Sequence, residues 1–249
     1  KIISNFAVGF GNIDVTAAKK KNIIVTNTPD VLTDATAEIA ILVLLGAARR
    51  AKEGIDWVNK KNWKWTANFL MGKQLSDSRL GILGMGRIGR AVAERARSFG
   101  MKIHYHNRTR LNKDLEKGAI YHDSLKSLLS VSDFFSINCP ATKETKNILN
   151  DETINFFPDG AVISNSARGD MINDDAMVKA LKSGKIFSLG LDVYNGEPDI
   201  HPDYLKLPNV FILPHLGSST IKTRTAMADL AIKNMEEFFK TGKCHNKVN

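Results

Sequence analysis

A glycine-rich turn constrains the fold of this chain more than any other feature of its sequence. Residues 84–89 read Gly-Met-Gly-Arg-Ile-Gly, after an apolar run and before an amphipathic helical pattern. In that context Gly84 permits a tight turn, Gly86 lets the backbone approach a pyrophosphate, and Gly89 lets helix and strand pack closely. The helix N-terminus adds N–H donors and the positive end of the helix dipole. We therefore expect a dinucleotide to bind here; the alternative is a strand–helix turn that holds no ligand.

Strand and helix patterns alternate along the chain on both sides of this turn. Apolar strand patterns fall at residues 2–9, 22–27, 79–83, 102–106, 134–137, 161–164, 187–192 and 210–213. Helical patterns fall at residues 12–21, 34–58, 88–99, 124–130, 153–157, 174–183 and 221–240. This alternation predicts an α/β fold with a doubly wound parallel sheet of the Rossmann type. The pattern at 34–58 is apolar nearly all round in its first half, so we expect a buried helix there; a subunit interface is one place that would bury it.

The composition is that of an ordinary globular protein. Of 249 residues, 43% are hydrophobic and 24% are charged, which argues against disorder. The two cysteines, Cys139 and Cys244, belong to no paired motif, so neither a disulfide framework nor a cysteine-based zinc site is expected. No apolar run is long enough to span a membrane, and no secretory signal is visible at the start. We expect a cytoplasmic protein with no membrane partner.

The net charge of +9 restricts the choice of partner. A basic balance is compatible with nucleic acid and equally with anionic metabolites or phosphates. Here the basic residues are scattered singly and in small clusters, such as residues 19–21, and build no long basic arm. We therefore expect no nucleic-acid partner.

The loop after the strand pattern 102–106 should contact the adenosine ribose of the dinucleotide. A carboxylate there accepts hydrogen bonds from the ribose hydroxyls and selects NAD, whereas a cation accommodates the 2′-phosphate of NADP. The loop consists of Asn107, Arg108, Thr109 and Arg110, with two guanidinium groups, one hydroxyl and no carboxylate. This composition favours NADPH over NADH; the alternative is that both arginines belong to a solvated loop.

Three ionisable residues follow late strand patterns and form a candidate catalytic set. Arg168, Glu197 and His215 each come shortly after an apolar strand, and the carboxyl ends of parallel strands line the ligand crevice of a doubly wound sheet. Arginine can hold a carboxylate bidentately, and histidine can donate a proton to a developing alkoxide. A carboxylate beside the histidine favours and orients the imidazolium. The set suits reduction of a 2-keto acid by a cofactor hydride, with no metal required.

Each of these three residues also has an ordinary structural interpretation. Arg168 could form a surface salt bridge, Glu197 could be a turn residue before a proline, and His215 could be a loop histidine. The pattern of all three behind a dinucleotide turn favours the catalytic interpretation. The remaining histidines lack such a context and are expected to be structural or superficial: His104, His106, His122, His201 and His245.

The ordered set of motifs resembles the D-2-hydroxyacid dehydrogenase family. The stretches that carry the resemblance are residues 83–89, 165–170, 190–193, 196–198 and 213–218, with 8–14 and 27–29. Within the family, the loop 107–110 and the Arg-Gly-Asp stretch at 168–170 look most like glyoxylate/hydroxypyruvate reductases. The resemblance implies an NAD(P)-dependent enzyme that converts a small 2-keto acid to the 2-hydroxy acid.

The resemblance also implies roles for individual residues. Arg168 would bind the carboxylate and carbonyl oxygen of the substrate, and His215 would be the general acid with Glu197 as its partner. The backbone N–H groups of Val8 and Gly9 would hold the carboxylate. The cofactor contacts would be Arg87, Ile88 and Gly89 at the pyrophosphate, Asn107, Arg108, Thr109 and Arg110 at the 2′-phosphate, and Pro140, Ser166, Asp192 and Gly217 along the rest of the dinucleotide, with Asp192 near its carboxamide.

The resemblance further implies two domains and a homodimer. Residues 30–216 would form the dinucleotide-binding domain, and residues 1–29 and 217–249 would be the remnant of a flavodoxin-like substrate domain. Because the chain begins at Lys1 rather than Met, we expect that domain to lack its N-terminal part. The long helix and the loop after it would embrace the partner, and Phe69 could reach the partner's site.

Other functions remain open at this level. The chain could be an NAD-dependent relative such as a phosphoglycerate dehydrogenase, although it leaves no room for a regulatory domain after the closing helix. It could be a dinucleotide-sensing binding module of the corepressor type, or an inactive fragment that still binds cofactor. Dinucleotide-dependent turnover of a small keto acid separates these possibilities.

Overall fold

The structure is a computed structural model that describes all 249 residues and divides into two compact units. The units are Lys1–Thr36 with Ser218–Asn249, and Ala37–Gly217. The strands are β1 (Ile2–Ser4), β2 (Ile24–Thr26), β3 (Arg79–Leu83), β4 (Lys102–His106), β5 (Ile120–Tyr121), β6 (Phe134–Ile137), β7 (Ala161–Asn165), β8 (Ile186–Leu191) and β9 (Val210–Ile212). The helices are α1 (Val15–Lys20), α2 (Thr33–Ala48), α3 (Ala51–Lys60), α4 (Arg87–Ser98), α5 (Lys113–Glu116), α6 (Leu125–Leu129), α7 (Asp151–Ile154), α8 (Asp174–Ser183), α9 (Pro202–Lys206) and α10 (Ile221–Thr241).

The first unit is built on a two-stranded parallel sheet of β1 and β2. Helix α10 is held against it by the hydroxyl of Ser4, which donates to the carbonyl of Ala231 at 2.8 Å. The buried side chain of Asn234 donates to the carbonyl of Asn27 at 3.0 Å. These two bonds tie the last helix to the first strand and to the turn after the second.

The second unit contains a seven-stranded parallel sheet in the order β5-β4-β3-β6-β7-β8-β9. Its core lies on both faces, because adjacent residues of one strand enter different apolar clusters: Phe134 packs in one, and Phe135 in the other. The order reverses between β3 and β6, and in such sheets ligands bind at the carboxyl ends of the strands at that switch point. The predicted doubly wound α/β fold is confirmed.

The helix predicted over residues 34–58 is wrong as a single element, because the chain breaks into α2 and α3 around Arg50. Arg50 adopts a left-handed conformation with φ of 55°. Its guanidinium is held bidentately by Glu53, at 2.8 and 2.6 Å, one turn into α3. The apolar pattern of α2 ends at Arg49 and Arg50. The helix ends there because no further apolar side chains pack it against the core. No helix of the chain is both long enough and apolar enough to cross a membrane.

Candidate active site

Every candidate residue of the second unit lies beyond the carboxyl end of a strand. Residues 84–89 follow β3, 107–110 follow β4, Pro140 follows β6, Ser166 and Arg168 follow β7, Asp192 and Glu197 follow β8, and His215 and Gly217 follow β9. Because all seven strands are parallel, these segments share one edge of the sheet. Val8 and Gly9 belong to the first unit.

Each of the three glycines in the turn after β3 is explained by a different steric requirement. A side chain at Gly84, which has φ of +92°, would meet the backbone nitrogen of Cys139 at 2.5 Å. A side chain at Gly89 would meet the carbonyl oxygen of Gly84 at 2.2 Å. Gly86 caps α4 without a side-chain hydrogen bond, and a Cβ there would have no neighbour within 4 Å. The space over Gly86 therefore lies directly before the first-turn N–H groups of α4.

This space fits the pyrophosphate of a dinucleotide. Uncapped N–H groups at a helix N-terminus, approached over a glycine, are a general arrangement for phosphate binding. The end of β6 adds a buried acceptor that suits a ribose hydroxyl of the dinucleotide rather than its phosphates, since Oδ1 of Asn138 has no hydrogen-bond partner. The N–H of Asn138 donates to the carbonyl of Leu83 at 2.8 Å, so this residue lies beside the turn.

Alanine substitutions at Gly86 and Gly89 should therefore affect different properties, dinucleotide affinity at Gly86 and stability at Gly89. Gly86→Ala should leave the melting temperature close to wild type and raise the dinucleotide Kd at least about tenfold, because the new methyl enters open space and blocks close approach. Gly89→Ala should cost about 1–3 kcal/mol of stability, because its methyl overlaps the Gly84 carbonyl. Thermal denaturation and fluorescence titration with NADPH measure both. Unchanged NADPH affinity in Gly86→Ala would contradict the assignment of the pyrophosphate to this turn.

In the loop after β4, some polar side chains already have partners within the chain. Oδ1 of Asn107 accepts from the N–H of Met85 at 2.7 Å, which ties this loop to the glycine turn. Arg110 is held bidentately by Glu116 at 2.8 and 3.2 Å, and this ion pair lowers the pKa of that carboxyl. Arg108 is exposed and forms no ion pair with a carboxylate, although it interacts with the charge of Glu144 at longer range. The bracing role of Asn107 and the pairing of Arg110 were not predicted.

His215 and Glu197 form a direct pair across the ends of β8 and β9. Nδ1 of His215 lies 2.6 Å from Oε2 of Glu197, and Oε1 of the same carboxylate accepts from the N–H of Tyr194 at 2.8 Å. A carboxylate opposite Nδ1 assigns a proton to that nitrogen and leaves Nε2 as the nitrogen that can face a ligand. The side chain of His215 is 51% exposed, so Nε2 is accessible.

Asp192 fixes the backbone immediately after His215. Its fully buried carboxylate accepts from the N–H groups of Leu216 at 2.7 Å and Gly217 at 2.9 Å. Burial raises the pKa of Asp192, and these two hydrogen bonds oppose the rise. The expectation that Asp192 lies near the cofactor carboxamide stays a prediction; within the chain, its carboxylate braces the turn that carries His215.

Arg168 lies half-buried after β7, in a segment that contacts the loop carrying Glu197. The side chain of Asn165 braces the segment: it accepts from the N–H of Ala167 at 3.0 Å and donates to the carbonyl of Arg168 at 2.7 Å. At Gly169 a Cβ would lie 1.9 Å from the carbonyl carbon of Tyr194, so only glycine allows this approach. Gly169 was missed by sequence reasoning, although its position directly after a candidate arginine was a signal.

The backbone of Val8 and Gly9 is held through its carbonyl groups by two asparagine side chains. The carbonyl of Val8 accepts from the side chain of Asn27 at 2.9 Å, and the carbonyl of Gly9 accepts from that of Asn5 at 2.8 Å. Their N–H groups make no hydrogen bond within the chain. Phe69, the residue expected to reach a partner, packs edge-on against Trp57 of its own chain at a centroid distance of 5.8 Å.

A doubly wound sheet with a glycine-rich turn and a His–Glu pair at one edge is the arrangement expected of a dinucleotide-dependent oxidoreductase. Residues 41–217 match the family model described as D-isomer specific 2-hydroxyacid dehydrogenase, NAD binding domain. The chain belongs to this family, which confirms the predicted resemblance, and these residues form its nicotinamide dinucleotide-binding domain. The matched range ends at Gly217, where the second compact unit also ends.

Named relatives and solved structures extend the similarity beyond this domain. Glycerate dehydrogenase of Hyphomicrobium methylovorum is 44% identical over 96% of this chain and 75% of its own length. Glyoxylate reductase of Thermococcus litoralis is 44% identical over 100% of this chain and 77% of its own. The crystal structure of the NADPH-dependent glyoxylate/hydroxypyruvate reductase of Sinorhizobium meliloti, in complex with NADP and malonate, covers all of this chain and 77% of its own, with a TM-score of 0.92 and 35% identity.

Proposed function

We propose that this protein reduces a small 2-keto acid, glyoxylate or hydroxypyruvate, to the corresponding 2-hydroxy acid with NADPH. The single observation that carries the proposal is the pairing of His215 with Glu197 at 2.6 Å, on the same sheet edge as the phosphate-binding turn. The names of the relatives support the substrate class, since they include several glyoxylate reductases and a glycerate dehydrogenase.

The chain's own groups divide the work of this reaction. Arg168 binds the substrate carboxylate and orients the carbonyl, because a guanidinium can offer two parallel N–H donors. Nε2 of His215 donates a proton to the carbonyl oxygen as negative charge develops there. Glu197 holds the ring from the Nδ1 side and fixes its orientation. Bound NADPH supplies the hydride to the carbonyl carbon. The N–H groups of Val8 and Gly9 remain the predicted backbone donors to a carboxylate oxygen of the substrate.

The preference for NADPH rests on Arg108. A 2′-phosphate adds about two negative charges near the end of β4, where this exposed guanidinium forms no ion pair and interacts only at longer range with Glu144. The NADP in the structure of the Sinorhizobium meliloti reductase supports this assignment. Arg110 contributes less, because Glu116 already neutralises it.

The test is NADPH or NADH oxidation followed at 340 nm with glyoxylate and hydroxypyruvate. We expect turnover with both acids and a lower KM for NADPH than for NADH. Arg108→Ala should raise the KM for NADPH about tenfold or more and leave the KM for NADH nearly unchanged. Lys102→Ala is the matched control, since this exposed cation lies at the opposite end of β4.

Two outcomes would count against these assignments. An unchanged cofactor preference in Arg108→Ala would refute the 2′-phosphate assignment alone. No turnover with either acid and either cofactor, despite measurable dinucleotide binding, would refute the reductase proposal and favour a dinucleotide-sensing module.

We also propose that the protein is a homodimer joined through α3 and the segment 61–72. Large apolar side chains are exposed along this surface, with Val58 60%, Trp65 79% and Met71 63% exposed. A cluster of this kind on a folded surface is typical of an interaction site. Sedimentation equilibrium should give twice the chain mass of 27.5 kDa. Trp65→Glu with Val58→Glu should give the monomer mass; a wild-type protein that sediments as a monomer would refute the proposal.

A further inference from the structure

Tyr194 is bonded to both segments that carry the acid–base pair, the one after β8 and the one after β9. Its N–H donates to Oε1 of Glu197 at 2.8 Å, and its hydroxyl donates to the carbonyl of Leu213 at 2.5 Å. Leu213 lies two residues before His215. One residue therefore bonds the carboxylate of the pair through its backbone and the histidine's own segment through its side chain.

The segment that carries His215 needs such support. His215 has φ of +54°, a left-handed conformation that a residue with a Cβ adopts only when its surroundings impose it. The N–H of His215 donates to the carbonyl of Leu213 at 3.1 Å, which closes a tight turn on that carbonyl. On the far side of the turn, Asp192 holds the N–H groups of Leu216 and Gly217. On the near side, the Leu213 carbonyl is the point that the Tyr194 hydroxyl bonds.

The hydroxyl of Tyr194 is suited to this position as a permanent donor. The ring is half-buried and packs against the apolar cluster under β7, β8 and α8. Burial raises the pKa of this phenol, so it stays protonated over the pH range in which the protein would work. A phenylalanine could fill the same space and would leave the Leu213 carbonyl without this donor.

We propose that Tyr194 is a positioning residue for proton transfer, which holds the turn of His215 through its hydroxyl while its N–H holds Glu197. This role rests on the proposed function: Tyr194 holds the proton donor His215 in position without itself touching the substrate or the cofactor. Loss of the hydroxyl lets the Leu213 carbonyl shift, and the imidazole then loses its fixed distance to the carboxylate and to the substrate. A displacement of that kind lowers the rate of the chemical step more than it weakens binding.

Tyr194→Phe tests this with Tyr204→Phe as the matched control. Tyr204 is also a packed tyrosine; its hydroxyl bonds Asp174 at 3.0 Å, and it bonds neither Leu213 nor Glu197, whereas the Tyr194 hydroxyl has only one further, longer contact, with the carbonyl of Leu191 at 3.5 Å. We expect kcat to fall about tenfold to a hundredfold in Tyr194→Phe, with the KM for NADPH unchanged within about twofold. Tyr204→Phe should lower the melting temperature at least as much and keep kcat near wild type.

A second readout does not depend on activity. In the ¹⁵N-labelled protein without substrate, the Nδ1 proton of His215 should give a downfield signal, identified by its disappearance in His215→Gln. It should broaden or vanish in Tyr194→Phe and persist in Tyr204→Phe. If the wild type turns over neither acid, the proposed function fails, and this signal still decides the positioning role.

Three outcomes would overturn the proposal. One is wild-type kcat in Tyr194→Phe. Another is a loss of kcat that follows the melting temperature equally in both phenylalanine variants, which would mean that Tyr194 contributes stability alone. The third is an Nδ1 proton signal of His215 that stays unchanged in Tyr194→Phe.

Discussion

His215→Ala should lower kcat for reduction of glyoxylate or hydroxypyruvate by about 10²–10⁴-fold, the usual contribution of a positioned general acid. The imidazole is the only group of the 2.6 Å pair that can deliver a proton, since Glu197 is engaged with it and with the N–H of Tyr194. The Kd for NADPH should stay within a few-fold of wild type, because the phosphate-binding turn lies after β3 and His215 lies after β9. Stopped-flow or steady-state absorbance at 340 nm gives kcat, and fluorescence titration gives the Kd.

The control for this variant is His245→Ala. His245 is also an exposed histidine paired with a glutamate, Glu237, and it lies in the first unit near the end of the chain. We expect its kcat to remain at the wild-type value. Equal loss of cofactor binding and turnover in His215→Ala would contradict the proton-donor role, because it would indicate a general collapse of the sheet edge.

The plan of the second unit was predictable because its strands are continuous apolar runs buried on both faces. The segments 134–137 and 161–164 carry mostly apolar side chains on both faces, so both faces must be buried. The Gly-x-Gly-x-x-Gly stretch marks where another such strand is followed by a helix. Parallel strands bring their carboxyl ends to one edge. That rule placed Glu197 and His215 together, although 18 residues separate them in the chain.

Two short helices, α5 and α9, escaped prediction because local hydrogen bonds define them rather than an apolar period. Helix α5 has four residues and begins where Asn112 accepts from the N–H of Leu115. Helix α9 has five residues and begins at Pro202 after a histidine cap. Neither contributes a repeating apolar face, so the 3.6-residue pattern on which sequence reasoning depends is absent.

Contacts between segments that are distant in the chain were equally out of reach. The approach of Gly169 to the backbone of Tyr194 depends on how two loops meet. The bidentate hold of Glu116 on Arg110 depends on the path of an irregular loop, and it changes which arginine of that loop is available to a phosphate. Residue types therefore predicted the chemistry of the site, and the three-dimensional structure was needed to assign partners.

Arg168 gives the second large effect, and two substitutions separate its charge from its shape. Arg168→Ala should lower kcat/KM for the keto acid by about 10²–10³-fold, equivalent to about 3–4 kcal/mol, because the substrate carboxylate loses its charged partner. Arg168→Lys should recover only part of this, because an ammonium keeps the charge and loses the two parallel donors. Lys179→Ala, an exposed cation on α8, should leave kcat/KM unchanged.

The comparison of the two arginine variants tests the geometry around this residue. Asn165 and Gly169 fix the backbone on both sides of Arg168, so a lysine there starts from the same Cα position and the same direction. If the lysine variant matches wild type in kcat/KM, charge alone suffices and bidentate binding is wrong. If the alanine variant matches wild type, the substrate carboxylate is held elsewhere, and the N–H groups of Val8 and Gly9 become the donors to test. Loss in both variants, larger for alanine, is the result that a guanidinium clamp requires.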